Sequence, residues 1–357
     1  MKVLVMAGGT GGHVYPALAA AAELKRRGHG VVWMGTPDSF EARTVPQHGI
    51  DIEYIHIAGL RGKGAARWLS MPFRLLRAML EAGRVLGRQR PQVVLGMGGF
   101  AAGPGGLMAW LRRIPLVIHE QNAVAGLTNR WLAWVATAAL QAFPNALRGG
   151  HTVGNPVRAD IAALPTPAQR FAAHVGAPRL LVMGGSLGAK ALNERVPQAL
   201  AQLPVAQRPQ VRHQAGRTLD VARTAYQANG VDAEITPFID DMPAAYAWAD
   251  LVVCRAGAST VAELAAAGCA ALFVPFPYAV DDHQTKNAEY LVAAGAAELI
   301  QERELTAERL AARLAALLAD RMRLQTMATA ARAVAWLDAT REIADACERS
   351  ARPRATT

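Results

Sequence analysis

Val3-Leu4-Val5-Met6-Ala7-Gly8-Gly9-Thr10-Gly11-Gly12-His13 opens the chain, and its reading decides the fold. Four apolar residues, a run of glycines and an apolar, helix-compatible continuation spell strand, tight loop and helix. Glycine tolerates positive φ and bares amide N–H groups, which at a helix N-terminus suit an anion, so a phosphate is the first ligand suggested. His13 is the only side chain of the loop with acid–base capacity near neutral pH.

Working outward, short apolar runs at Val31 to Met34, Ile52 to Ile57, Val93 to Leu95 and Leu116 to Ile118 alternate with helical stretches, which predicts a parallel α/β sheet covered on both faces. Turn-rich sequence around residues 150–165 (Gly149-Gly150, Val153-Gly154-Asn155-Pro156, Pro165-Thr166-Pro167) marks a boundary. The pattern then restarts with Leu180-Leu181-Val182-Met183 and a second glycine loop, Gly184-Gly185-Ser186-Leu187-Gly188-Ala189. The expected fold is therefore α/β, with two Rossmann-like, doubly wound parallel-sheet domains, 1–157 and 158–335, facing across a cleft. Ligands are expected beyond the carboxyl ends of the strands. From Leu305 the chain is alanine-rich and reads as helical.

The 357 residues, 52% hydrophobic and 18% charged, describe a folded protein with room for two cores. A formal charge of +10 favours an anionic partner. Three scattered cysteines (Cys254, Cys269, Cys347) suggest neither a disulfide framework nor a zinc site and fit a reducing compartment. The N-terminal apolar run is too short for a signal-peptide core, so a cytoplasmic location is expected. Gln92 to Leu111 is a 20-residue stretch without charge, yet its six glycines and Pro104 split it into strand, loop and short helix rather than a membrane span.

Neither glycine loop matches a common nucleotide fingerprint. The first has Val14 where the dinucleotide motif wants a third small residue, and the second ends Gly188-Ala189-Lys190 instead of glycine-lysine-serine/threonine. Three further clusters follow apolar strands. Thr260-Val261-Ala262-Glu263, after Leu251-Val252-Val253, reads either as a capping box or as a phosphate-holding turn whose Glu263 grips a vicinal diol. Asp281-Asp282-His283-Gln284-Thr285-Lys286-Asn287 is a polar turn behind Pro275 and Pro277. His119-Glu120-Gln121-Asn122 ends the strand Leu116 to Ile118, so its four polar groups are either a site candidate or a solvated strand end. With no D-x-D or H-E-x-x-H motif, neither metal nor cofactor is expected. Arg61 to Arg90 carries eight basic residues (Arg61, Lys63, Arg67, Arg74, Arg77, Arg84, Arg88, Arg90) against Glu81 alone, interleaved with Trp68, Leu69, Phe73 and Leu76. That mixture suits an anionic membrane surface; nucleic acid is not expected, because no binding motif accompanies the charge.

Six motifs in order, Gly-Gly-Thr-Gly-Gly-His (8–13), His-Glu-Gln-Asn (119–122), Gly-Asn-Pro-Val-Arg (154–158), Gly-Gly-Ser-Leu-Gly-Ala (184–189), Arg-Ala-Gly-Ala-Ser-Thr-Val-Ala-Glu (255–263) and Asp-Asp-His-Gln (281–284), make the chain resemble the MurG family of bacterial N-acetylglucosaminyltransferases. The resemblance implies a GT-B fold and inverting transfer of N-acetylglucosamine from UDP-N-acetylglucosamine to the muramyl 4-hydroxyl of lipid I, giving lipid II and UDP in peptidoglycan synthesis. It also implies a peripheral protein on the cytoplasmic face of the inner membrane, partners in a wall-building complex, and a last helix (about 336–357) returned to the N-terminal, acceptor-side domain. Carried across, Ser186 and the amides near Ala258, Ser259 and Thr260 meet the diphosphate, Glu263 the ribose diol, Ile239 the uracil through its backbone, Arg158 the nucleotide and Gln284 the sugar, with Val261 and Ala262 also in the UDP-N-acetylglucosamine site. Thr10, Gly11, Gly12 and Asn122 complete the donor site, and His13 is the candidate base. Leu187 and His283 stand where some members have glutamine. The alternatives are a UDP-N-acetylglucosamine 2-epimerase, another lipid glycosyltransferase of this fold, and a non-catalytic nucleotide sensor at a membrane surface.

Overall fold

The computed structural model describes residues 1–57, 65–185 and 188–351, with the side chains of 65–70 set aside. The chain divides into two compact units, one of residues 1–157 with the chain from Leu337 onward, the other of Arg158–Trp336.

Unit 1 contains β1 (Lys2–Met6), α1 (Gly11–Arg26), β2 (Gly30–Gly35), α2 (Phe40–Thr44), β3 (Asp51–Tyr54), α3 (Ala65–Gln89), β4 (Val93–Gly96), α4 (Ala102–Leu111), β5 (Leu116–Glu120), α5 (Leu127–Leu132), β6 (Ala138–Gln141) and β7 (His151–Thr152). Its seven strands lie in the order β3-β2-β1-β4-β5-β6-β7, all parallel. Val5 faces Trp33 on one side and Leu95 on the other. β4 and β5 are buried along their whole length, as near-continuous apolar strands must be in a sheet covered on both faces. The uncharged stretch 92–111 resolves into β4, a glycine turn and α4. Among the described residues no helix is long and apolar enough to cross a membrane. β3 is shorter than the Ile52–Ile57 run: after a last bond from Ile55 N to Gly35 O the chain leaves the sheet.

Unit 2 contains α6 (Ala159–Ala162), α7 (Pro167–Ala173), β8 (Arg179–Met183), α8 (Lys190–Ala201), β9 (Gln210–Gln214), α9 (Leu219–Ala228), β10 (Glu234–Thr236), α10 (Met242–Trp248), β11 (Leu251–Cys254), α11 (Ala258–Ala267), β12 (Ala270–Phe273), α12 (His283–Ala293), β13 (Ala297–Leu299), α13 (Ala307–Leu318) and α14 (Arg321–Ala333). Its parallel six-stranded sheet runs β10-β9-β8-β11-β12-β13.

The last helix, α15 (Ala339–Ser350), belongs to unit 1. Ile343, Ala344, Ala346 and Cys347 share an apolar cluster with Leu24, Val93 and Val117, and Arg27, which caps the end of α1, donates to Glu23, Asp345 and Glu348. In each sheet the strand order reverses direction beside the first strand, between β1 and β4 and between β8 and β11. Loops at such a switch point splay apart and leave room for a ligand at the carboxyl ends. Both glycine loops, and the turn leading into α11, fall there.

Candidate active site

Helix α11 is the best-defined element of the site in unit 2. It starts at Gly257, which is extended (φ −63, ψ 145) and offers no side-chain cap, and the first helical bond runs from Val261 N to Gly257 O. The amides of Ala258, Ser259 and Thr260 therefore point out of the positive end of the helix without a helical partner. This overturns the capping-box reading: Thr260 is already inside the helix, so it is not the cap. Glu263 lies farther along and accepts a hydrogen bond from Tyr246 Oη at 2.9 Å. Burial raises the Glu263 pKa, with the Tyr246 hydrogen bond and the positive charge of Arg158 opposing. Among the described residues Tyr246 alone bonds this carboxylate, so its other oxygen is available to a ligand diol. Ser259 Oγ is buried with no partner among the described residues. An unpaired hydroxyl beside three outward amides is a costly arrangement in a free protein and a useful one around an anion.

Gln284, in the first turn of α12, uses its side-chain oxygen to accept from Ala256 N (3.2 Å) and Phe276 N (3.0 Å), tying the turn before α11 to the loop after β12. Only its amide nitrogen remains to donate outward. His283 turns back to donate from Nδ1 to Val280 O at 2.7 Å. Ile239 sits half-buried in the loop after β10, and among the described residues no hydrogen bond reaches its backbone. Arg158 is half-exposed and 3.7 Å from Asp160. Val261 is buried and Ala262 half-buried in the body of α11. Ser186 and Leu187 lie outside the described residues; next to them, Gly185 N donates to Gln214 Oε1 at 3.2 Å.

In unit 1, α1 starts at Thr10 (φ −137, ψ 161), again without a side-chain cap, and His13 N and Val14 N both bond to Thr10 O at 3.1 Å. The Gly11 and Gly12 amides are thus free of helical partners. His13 Nδ1 lies 3.4 Å from Thr10 Oγ1. Its ring is seated against Gly98: a Cβ there would fall 2.6 Å from His13 Cδ2. At Gly99 (φ +87) a Cβ would fall 2.4 Å from Gly8 O, so the loop after β4 touches the loop after β1 with no room for a side chain. Sequence reading passed over Gly98 and Gly99, although the glycine run after β4 was visible. It also passed over Glu41, only 1% exposed, whose carboxylate accepts from Gly9 N at 3.0 Å.

The His119-Glu120-Gln121-Asn122 cluster divides in two. His119 Nε2 is 2.9 Å from Gly154 O, Gln121 Nε2 is 3.1 Å from His119 Nδ1, and Glu120 accepts from Asn122 N, Gly126 N and Asn129. Burial holds the His119 pKa down at about 4 and pushes that of Glu120 up. These three are buried and build the strand end; Asn122 is half-buried and bonds back to Glu120 Oε1 through its backbone N–H at 2.9 Å and its side-chain nitrogen at 3.4 Å.

Unit 1 also carries a groove of about 1150 Å³ lined by Leu75, Phe100, Leu107, Leu127, Trp131 and Trp134, and by Arg74 and Arg77. Phe73, Trp131 and Trp134 are 76, 69 and 73% exposed, an unusual load of bare aromatic surface. Arg61, Lys63 and the Arg67, Trp68 and Leu69 side chains of the basic segment lie outside what is described.

Two parallel α/β units with open helix N-termini at their switch points are the architecture of GT-B nucleotide-sugar enzymes, and two domain families make the class a glycosyltransferase: the glycosyltransferase family 28 N-terminal domain matches residues 3–141 and its C-terminal domain residues 179–348. The UDP-N-acetylglucosamine–N-acetylmuramyl-(pentapeptide) pyrophosphoryl-undecaprenol N-acetylglucosamine transferase of Alkalilimnicola ehrlichii is 58% identical over 355 residues, 99% of each chain. That of Chromohalobacter salexigens is 57% identical over 97% of this chain and 96% of its own. The crystal structure of Acinetobacter baumannii MurG superposes with a TM-score of 0.87 at 43% identity, covering 98% of this chain and 99% of that one. The chain belongs to the MurG family. A UDP-N-acetylglucosamine 2-epimerase from Neisseria meningitidis, at 13% identity and a TM-score of 0.67, shares the fold only.

Proposed function

We propose that the chain transfers N-acetylglucosamine from UDP-N-acetylglucosamine to the muramyl 4-hydroxyl of lipid I, releasing UDP and forming lipid II, with unit 2 holding the donor and unit 1 the acceptor. The observation that carries the assignment of roles is the mouth of α11: three outward amides, the orphaned Ser259 hydroxyl and the half-committed Glu263 carboxylate. The amides of Ala258, Ser259 and Thr260 and the dipole of α11 meet the charge that grows on the departing diphosphate. Glu263 Oε1 accepts from the ribose hydroxyls while Tyr246 holds Oε2. The bare backbone of Ile239 pairs with the uracil, Arg158 lends positive charge beside the nucleotide, and the Gln284 amide donates to the sugar. Ser186 completes the phosphate contacts.

On the acceptor side, His13 takes the proton from the attacking 4-hydroxyl as that oxygen displaces UDP from the anomeric carbon, a single displacement that inverts the configuration. Thr10, Gly11, Gly12 and Asn122 are read as the residues that unit 1 contributes to donor binding. The groove beside Trp131 and Trp134, with Arg74 and Arg77 among its lining residues, supports docking on an anionic lipid surface and so a peripheral protein on the cytoplasmic side of the inner membrane. The deciding experiment offers UDP-N-acetylglucosamine with and without a lipid I analogue and follows sugar transfer and UDP release; transfer only with acceptor supports this reading, whereas a C2-epimerised sugar product formed without acceptor would favour epimerase chemistry. His13→Ala at saturating substrates is expected to lose at least tenfold in kcat, and a smaller loss removes His13 from the base role. Phe73→Ser with Leu76→Ser should weaken binding to anionic vesicles while sparing turnover of a soluble acceptor.

A further inference from the structure

Glu41 is a buried carboxylate that nothing above uses. Its Oε2 accepts from Gly9 N at 3.0 Å, and its Oε1 accepts from Thr36 N at 3.1 Å and Thr36 Oγ1 at 2.8 Å. Two glycines make the notch it fills. A Cβ on Gly8 would lie 2.4 Å from Glu41 Oε1, and one on Gly35 would lie 2.8 Å from Glu41 Cγ. Burial raises the carboxyl pKa, but the hydrogen bonds from its own backbone, Gly9 and Thr36 outweigh it and leave it below the ordinary value, so the group is an anion throughout the neutral range. The matching loop of unit 2 is held differently: there Gly185 N meets the neutral amide oxygen of Gln214. A charged acceptor forms the stronger hydrogen bond, and it sits where the loop leads into the positive end of α1.

We propose that Glu41 is a positioning residue for the transfer reaction: its carboxylate locks the loop between β1 and α1 so that His13 stays seated against Gly98. The chain of contact is continuous, from Thr36 through Glu41 to Gly8 and Gly9, from Gly8 to Gly99, and from Gly98 to the His13 ring. The inference rests on the reading of His13 as the base. A loop misplaced by about 1 Å is enough to cost on the order of a hundredfold in rate.

The test compares Glu41→Gln, Gly35→Ala and the double variant in the full chain, measuring kcat at saturating substrates, the Kd of UDP by calorimetry and Tm. Glu41→Gln keeps the shape of the side chain but turns a donor toward Gly9 or Thr36. The expected result is a loss of at least tenfold in kcat with the Kd of UDP unchanged within twofold, because the nucleotide belongs to unit 2. Gly35→Ala displaces Glu41 without touching the loop, so it should reproduce the loss, and the double variant should be no worse than the poorer single one. The proposal is overturned if Glu41→Gln keeps kcat within threefold, if UDP binding falls in parallel with kcat, or if the two single losses multiply. His13→Ala, run alongside, separates the two claims: a small loss there with a large one for Glu41→Gln removes the base assignment, while the reverse removes Glu41.

Discussion

Replacing Ser259 with alanine should make the free protein more stable and its complex with UDP weaker, an unusual pairing that follows from one atom. Ser259 Oγ is buried and unpartnered among the described residues. Leaving a buried hydroxyl unsatisfied costs about 1–3 kcal/mol, and Ser259→Ala removes that cost, with a small gain in helix propensity inside α11. For a folding unit of this size a gain of about 1 kcal/mol raises Tm by roughly 2–4 °C. Bound to a diphosphate, the same hydroxyl makes a hydrogen bond to a charged oxygen worth about 1.5–3 kcal/mol, so its loss weakens UDP by roughly ten- to a hundredfold. Thermal unfolding with and without saturating UDP, together with calorimetric titration, reads both effects. The free variant should melt higher, and the shift produced by UDP should shrink. A lower Tm in the free variant, or an unchanged Kd, would refute the view that this hydroxyl waits for the donor phosphates.

Two predictions concern protons. The raised pKa of Glu263 means that the free protein holds its proton above the ordinary carboxylate value of 4.5, while a diol needs the anion, so UDP affinity should rise with pH through that window; Glu263→Gln should bind UDP more weakly, flatten this dependence and lose discrimination against 2′-deoxy-UDP, all measurable by titration between pH 5 and pH 8. His119 is neutral in the folded protein down to about pH 4, whereas unfolded it takes a proton near 6.5. Its folded pKa is depressed, so the stability it carries is complete well above 6.5 and is lost as pH falls toward 4, by roughly 2 kcal/mol in all by pH 5. Urea unfolding across that range should show the loss, and a non-titrating His119→Gln should reduce its slope.

The glycine loops, the two-domain repeat and the strands behind them were legible because a parallel sheet writes itself as short apolar runs, and a switch-point loop as glycines. Glu263 was legible as a residue but not as a role. Thr260 and Glu263 have the spacing of a capping box, and only the backbone at Gly257 shows that the helix starts earlier and leaves the carboxylate to Tyr246. His119, Glu120 and Gln121 read as a polar strand end open to a ligand; folded, they bond to the backbone of their own unit, and only Asn122 keeps a part-exposed position.

Glu41 had no signal at all. It sits in an ordinary-looking stretch, Ser39-Phe40-Glu41-Ala42, and becomes significant because α2 folds back onto the ends of β1 and β2, where Gly8 and Gly35 leave it space. The same holds for Gly98 and His13, some eighty residues apart in sequence and in contact because β1 and β4 are neighbours. What the amino-acid sequence by itself determined is local: which segments are strands, where backbone amides are bared, and which residue types can hold a phosphate, a diol or a proton. Tertiary structure decided which of those groups remain available to a ligand, because a polar group's partner is chosen by whatever the fold brings within 3 Å of it, and that partner usually comes from a distant part of the chain.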